Sequence, residues 1–170
     1  TAGMITLLGQ NLSALSLGQL EHFRRLNIGI VFQDSNLLRS LTAMENVEAM
    51  LQFRGIQRHA ARRQANDLLH AVGLYTHRNH LPRQLSGGQQ QRVSVARALA
   101  GYPPVILADE PTAALDSGTG HKVVEFMKHI AQNHGCTIIM TTHDPRILDV
   151  GDRTLHLHDG QLQPHSPLVS

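Results

Sequence analysis

Tryptophan is absent from this sequence and aromatic residues supply only 4% of it, so its core must be built from aliphatic side chains. A single cysteine, Cys136, excludes an internal disulfide and fits a reducing compartment. No stretch approaches the roughly 20 consecutive apolar residues that span a bilayer, and the first residues show no signal-peptide pattern. Any membrane link is therefore expected to run through a partner. Charge is scarce as well: 15 Lys and Arg face 13 Asp and Glu. The chain has no basic run of the kind that lines a nucleic-acid groove, which argues against nucleic acid as a partner. Histidine is the exception, with twelve, but they do not fall into a tight metal-ligand spacing. The His156-x-His158 pair would share one face of a strand, and ordinary surface histidines explain it equally well.

What is present alternates between apolar runs and helical periodicity, with no internal repeat or low-complexity segment. The 170 residues suit one compact domain with a sizeable core. Met4 to Leu8, closed by Gly9-Gln10-Asn11, reads as a strand and turn. Ser13 and Ser16 offer caps for a short helix through Leu17, Leu20 and Phe23. Ile28 to Phe32 is the next strand, and Gln33 stands directly after it. Thr42-Ala43-Met44-Glu45 has the capping-box spacing and opens a helix that Gly55 breaks. A second helix from about Arg58 to Val72 turns Ala61, Ala65, Leu68 and Leu69 inward, with Gly73 as its C-terminal cap. A polar connection containing Pro82 follows. The last third alternates strand and helix, the pattern of a parallel sheet with crossovers. A helix over Gly120 to Asn133, a short helix at Pro145 to Val150, a hairpin around Asp159-Gly160 and a loose tail over 164–170 complete it.

Three stretches carry chemistry. Leu85-Ser86-Gly87-Gly88-Gln89-Gln90-Gln91-Arg92 opens a helix with a capping serine and two glycines. Such a start points free N–H groups and the positive end of the helix dipole outward, which suits a phosphate. Val105-Ile106-Leu107-Ala108-Asp109-Glu110 is an apolar run ending in two carboxylates, the look of a buried parallel strand delivering acids at its C-terminal edge. Alternation along that strand would send the two acids to opposite sides, allowing one to serve a metal and the other a water. Cys136 to Asp144 repeats the design with His143 at its tip.

Gly-rich helix start, acidic strand and histidine strand, in this order, resemble the ATP-binding-cassette (ABC) ATPases, and the resemblance covers nearly the whole chain. It implies an α/β, P-loop NTPase-like core with an inserted helical subdomain. The expected division is residues 1–33 as a partial N-terminal piece of the core, 34–100 as the helical subdomain, and 101–163 as the rest of the core. It also implies ATP and Mg2+ as cofactors. Asp109 would hold magnesium and Glu110 would orient or deprotonate the attacking water. His143 would keep that pair aligned, and Gln33 would touch metal and water while the helical subdomain hinges beside it. Ser86, Gly87, Gly88 and Gln89 would close over ATP held by the opposite subunit of a head-to-tail dimer, with Asp116 in the loop that couples the two sites.

One expected motif is missing. The family places Gly-x-x-x-x-Gly-Lys-Ser/Thr upstream, and this chain has no such stretch. An N-terminally truncated subunit, inactive alone, is the expectation that follows. Ile30 to Gln33, Thr42 to Val47 and Leu107 to Thr112 resemble the macrolide-export and lipoprotein-releasing group. Ala113-Ala114-Leu115-Asp116 and Thr142 to Asp149 look closest to the ATPase of heterocyst-type glycolipid exporters. That likeness implies a membrane permease subunit, a periplasmic adaptor protein, and a place at the cytoplasmic face of the inner membrane. The alternatives are a soluble ABC ATPase acting on DNA or ribosomes and a non-catalytic regulatory module. Only about fifty residues separate Gln33 from Leu85, too few for the coiled-coil insertions of the DNA-repair members. The survival of Glu110, His143, Ser86 and Gly88 speaks against a degenerate module.

Overall fold

In the computed structural model, residues 3–163 are described, and the tail expected over 164–170 lies outside them. The strand expected at Met4 to Leu8 is shorter than the apolar run suggests. Strands β1 (Thr6–Leu7) and β2 (Gln10–Asn11) pair antiparallel, because Leu8 and Gly9 both take positive φ, 52° and 77°, and turn the chain back. Ser16 then caps helix α1 (Leu17–Asn27) in a capping box with Gln19, while Asn11 and not Ser13 caps the short turn before it.

Strand β3 (Ile28–Val31) leads into a loop and two antiparallel-packed helices, α2 (Ala43–Phe53) and α3 (Arg58–Ala71). Thr42 and Glu45 form the expected capping box at the start of α2. The hydrogen bonds from Thr42, backbone first and then side chain, hold the Glu45 carboxyl below the usual carboxylate range. Ala43, Val47 and Leu51 of α2 are fully buried together with Ala61, Ala65 and Leu69 of α3, the inward stripe that the 3.6-residue period specifies. Gly73 sits at φ 69°, the left-handed position a helix end favours.

Helix α4 (Gly87–Leu99) packs against α2, α3 and β3 and is the most enclosed helix of the described residues. It buries not only Val93, Val95, Ala96, Ala98 and Leu99 but also Gln91, Ser94 and Arg97. Strand β4 (Val105–Asp109), helix α5 (Ser117–His134) and strand β5 (Thr137–Thr141) follow, and then a small hairpin of β6 (Leu157–His158) and β7 (Gln161–Leu162). Pro145–Val150 is a 3-10 helix.

The central sheet of the described residues has the order β3-β4-β5, all parallel. Its two faces differ. Ile106 and Ala108 of β4 are buried with Val31, Val123 and Met127, beneath α4 and α5. On the other face Ile30, Leu107 and Ile139 stand in register, and Leu107 and Ile139 remain 37% and 54% exposed.

Gly29 shows how tightly α4 is set on β3. A Cβ placed there would strike the Ala98 carbonyl oxygen inside contact distance and meet Pro103 Cγ at 3.0 Å. The obstacle is backbone and cannot swing aside. Gly29→Ala is expected to destabilise the fold by about 3 kcal/mol. Gly18→Ala, where nothing lies within 4 Å, should instead leave helix α1 as stable or more so. Urea unfolding of both variants checks this, and a wild-type midpoint for Gly29→Ala would contradict it.

Candidate functional site

The parallel order of β3, β4 and β5 brings their C-terminal ends to one edge of the sheet, where α/β proteins bind ligands. Four of the residues singled out in the sequence meet there. Gln33 lies two residues beyond β3, Asp109 ends β4, Glu110 follows it, and His143 lies two residues beyond β5. All four line one cleft of about 1240 Å³.

Asp109 is paired across the sheet with Thr141, whose Oγ1 donates to Asp109 Oδ1 at 2.7 Å. That bond fixes the carboxylate's orientation and leaves its second oxygen free of any described partner. The expected alternation of the two acids along one strand is not what separates them. Glu110 has already left the strand at φ 45°, and its N–H donates to the Thr141 carbonyl at 3.2 Å. Ala113 then donates back to the Glu110 carbonyl at 3.1 Å, closing a turn. A left-handed residue, uncommon for a non-glycine, is what aims the second acid. Glu110 Oε1 lies 3.5 Å from His143 Nε2, with the glutamate side chain 18% exposed and the imidazole 99%. The carboxylate is thus walled in while its partner stands free at the cleft mouth.

Among the described residues no group of three or more His, Cys, Asp or Glu side chains is arranged to hold a metal. Magnesium keeps several waters and takes one or two carboxylates beside a phosphate. Asp109 with Gln33 is a donor set of that kind. The zinc reading of His156 and His158 gains nothing.

Ser86, Gly87, Gly88 and Gln89 do not line this cleft. They form the first turn of α4. Ser86 Oγ accepts from the Gln89 N–H at 3.2 Å, and the Ser86 N–H donates to Gln89 Oε1 at 2.9 Å. The cap thus uses the Gln89 side chain, leaving the Gly87 and Gly88 N–H groups as first-turn donors without an intrahelical acceptor. The two glycines differ in surroundings. A Cβ on Gly87 would meet nothing within 4 Å, whereas one on Gly88 would meet Leu115 Cδ2 at 3.1 Å. Gly88 therefore packs on the turn that precedes Asp116 in the same chain, and Gly87 faces open space.

Asp116 is the N-cap of α5, its Oδ1 accepting from the Thr119 N–H at 3.0 Å. The helix consequently starts at Ser117, three residues before the Gly120 expected from periodicity. Hydrogen bonds from Thr119, side chain first and then backbone, hold the Asp116 carboxyl below the usual carboxylate range. A depressed folded-state pKa contributes stability above the unfolded value near 4, lost as pH falls through the folded value. Asp116→Ala should therefore lower the thermal midpoint at pH 7 and lose that penalty at a pH low enough to protonate the carboxylate in the folded protein. An equal penalty at both pH values would overturn that reading.

The sequence model of the ABC transporter family matches residues 1–113. The chain is 41% identical over 163 residues to the ABC transporter ATP-binding protein YtrE of Bacillus subtilis, covering 96% of this chain and 71% of that one. It is 40% identical over 169 residues to the macrolide export ATP-binding/permease protein MacB of Escherichia coli K12, covering 99% of this chain and 26% of MacB. The dimeric, post-hydrolysis structure of the ATP-binding cassette MJ0796 bound to ADP and Pi superposes with a TM-score of 0.91 at 41% identity. That superposition covers 100% of this chain and 75% of the cassette. An α/β core of P-loop NTPase type with its helical insertion is thus the architecture here. The chain belongs to the ATP-binding components of the ABC transporters.

Proposed function

We propose that this chain is the catalytic portion of an ABC exporter's ATP-binding subunit. The observation that carries the reading is the meeting of Gln33, Asp109, Glu110 and His143 in one cleft at the sheet edge, with Glu110 and His143 at 3.5 Å. Magnesium-ATP, when bound, supplies the phosphoanhydride and the divalent charge that offsets the phosphates. Asp109, its orientation set by Thr141, would hold the metal, with Gln33 beside it. Glu110 orients the attacking water and takes its proton, and the half-buried setting keeps the carboxylate from wandering. His143 reaches across to Glu110 and keeps the water in line. Ser86, Gly87, Gly88 and Gln89 offer first-turn N–H donors to the γ-phosphate of ATP held by a second subunit in a head-to-tail dimer. Asp116 and the turn before it, against which Gly88 packs, link the two sites.

Dimer closure on ATP and reopening after hydrolysis supply the two states that a transporter exploits. The partner is a membrane permease, reached with a periplasmic adaptor, and the chain works at the cytoplasmic face of the inner membrane. No helix among the described residues is long and apolar enough to cross a membrane. The exposed apolar side chains Phe32, Leu38 and Phe53 line a groove of about 750 Å³ next to Gln33, and they offer the permease a surface there. The macrolide-export relatives and the motifs at 30–33 and 107–112 support export. The Ala113-Ala114-Leu115-Asp116 and Thr142 to Asp149 stretches support the heterocyst-type glycolipid branch.

The division of the fold follows the same lines: residues 34–100 move as a helical subdomain on the core formed by 1–33 and 101–163. These 170 residues hold no Gly-x-x-x-x-Gly-Lys-Ser/Thr phosphate cradle, which supports the reading that they do not turn over ATP by themselves. Calorimetry of magnesium-ATP binding tests this on the 170-residue chain and on a version extended upstream through a Gly-x-x-x-x-Gly-Lys-Ser/Thr loop. Binding by the extended version alone is the expected result. Tight binding by the short chain would show that its phosphates sit elsewhere.

A further inference from the structure

Arg97 and Gln91 are placed inside the protein for a reason that neither core packing nor the proposed catalytic groups explain. Arg97 is 9% exposed, and no carboxylate among the described residues pairs with it. Its guanidinium instead donates from Nη1 to the Asn36 carbonyl at 2.6 Å and from Nη2 to the Ser35 carbonyl at 2.8 Å. Those carbonyls are consecutive, and both residues hold left-handed backbone, at φ 53° and 47°. Gln91 is 1% exposed, and its Nε2 donates to the Phe32 carbonyl at 3.1 Å. Its Oε1 is buried with no partner among the described residues.

A buried charge without a counter-charge and a half-satisfied amide both cost stability, and an apolar side chain would fill either place more cheaply. What the two side chains have in common is the loop they hold. Phe32, Ser35 and Asn36 bracket Gln33. The far end of the same loop is tied down by Asn46 of α2, which exchanges hydrogen bonds with the Leu38 N–H at 2.8 Å and the Leu38 carbonyl at 3.1 Å. Gly88 and Arg97 lie on one unbroken helix, about 14 Å apart along its axis.

We propose that Gln91 and Arg97 are positioning residues that fasten the Gln33 loop to α4 and so set where Gln33 stands relative to the helix whose first turn faces the second subunit's nucleotide. The proposal rests on the roles assigned above to Gln33 and to Ser86, Gly87, Gly88 and Gln89. It supplies a direct mechanical link between the two halves of a composite site. The arginine fork matters because two parallel N–H groups meet two successive carbonyls, which a lysine's single ammonium cannot do.

The test uses backbone NMR and amide exchange on the full 170-residue chain without nucleotide. Arg97→Lys keeps the charge and the aliphatic stem. It is expected to erase the left-handed carbon shifts of Ser35 and Asn36 and to speed exchange across 33–38 by about tenfold or more. Exchange in β4 and α3 should stay at wild-type rates. Gln91→Met, which removes the unpartnered oxygen without adding charge, should produce a smaller change confined to the same loop, and it carries the test if Arg97→Lys does not fold. Unchanged loop shifts, or exchange rising uniformly through α4 and β4, would overturn the proposal by leaving these residues a packing role only. Because no nucleotide is present, failure here leaves the ATPase reading standing, and failure of ATP binding leaves the fastened loop standing.

Discussion

Glu110→Gln is expected to lower ATP turnover by about 10²- to 10⁴-fold in the upstream-extended protein while magnesium-ATP still binds. The substitution exchanges one carboxylate oxygen for an amide nitrogen at constant shape, so the left-handed turn at φ 45° and its bonds to Thr141 and Ala113 persist. What disappears is the proton acceptor. His143→Ala should behave differently. Its imidazole is 99% exposed and makes its described contact only with Glu110. Removing it leaves the base in place but unsupported, so a smaller loss than that of Glu110→Gln is expected. Steady-state turnover with calorimetry on the same preparations separates the two effects. Turnover within a few-fold of wild type in Glu110→Gln would remove Glu110 from the role of base.

Much of this arrangement is legible from residue order. Apolar runs of β-branched residues mark β3, β4 and β5, because a parallel sheet with helices on a face needs continuous rather than alternating hydrophobicity. The capping box at Thr42 and the capping serine at Ser86 mark two helix starts, whereas the sequence offers both Ser13 and Ser16 before α1 and the structure selects Ser16. Other features depend on tertiary context. Asp116 caps α5, yet Asp116-Ser117-Gly118-Thr119 lacks the reciprocal Glu or Gln, and the periodicity starts only at Gly120. The left-handed turn at Glu110 has no local signal, because glutamate rarely adopts it and the Thr141 carbonyl that anchors it is far along the chain. Arg97 and Gln91 lie in a stretch whose period marks only part of the surface as apolar. α4 is enclosed nearly all round because α2, α3 and β3 converge on it, and that convergence is a property of the fold.

Gly87→Asp should move stability and activity in opposite directions. The position is the first residue of α4, and a Cβ there meets nothing within 4 Å, so the fold places no steric demand on it. Replacing glycine by aspartate recovers only about 0.3 kcal/mol of helix propensity. A carboxylate in the first turn adds about 0.3–1 kcal/mol through the helix dipole. Unfolding should therefore occur at an equal or higher temperature. The same carboxylate would stand where the second subunit's phosphates approach, repelling them and screening the Gly87 and Gly88 N–H donors. Loss of such donors costs about 10²- to 10³-fold in rate, so turnover by the extended dimer should fall by at least 100-fold. Gly88→Ala is the informative comparison. Its Cβ presses on Leu115 Cδ2 at 3.1 Å, the end of a flexible side chain that can yield, so a modest loss of both stability and turnover is expected. Were Gly87→Asp as active as wild type, the first turn of α4 would have no phosphate to face, and the head-to-tail site would have to be built from other residues.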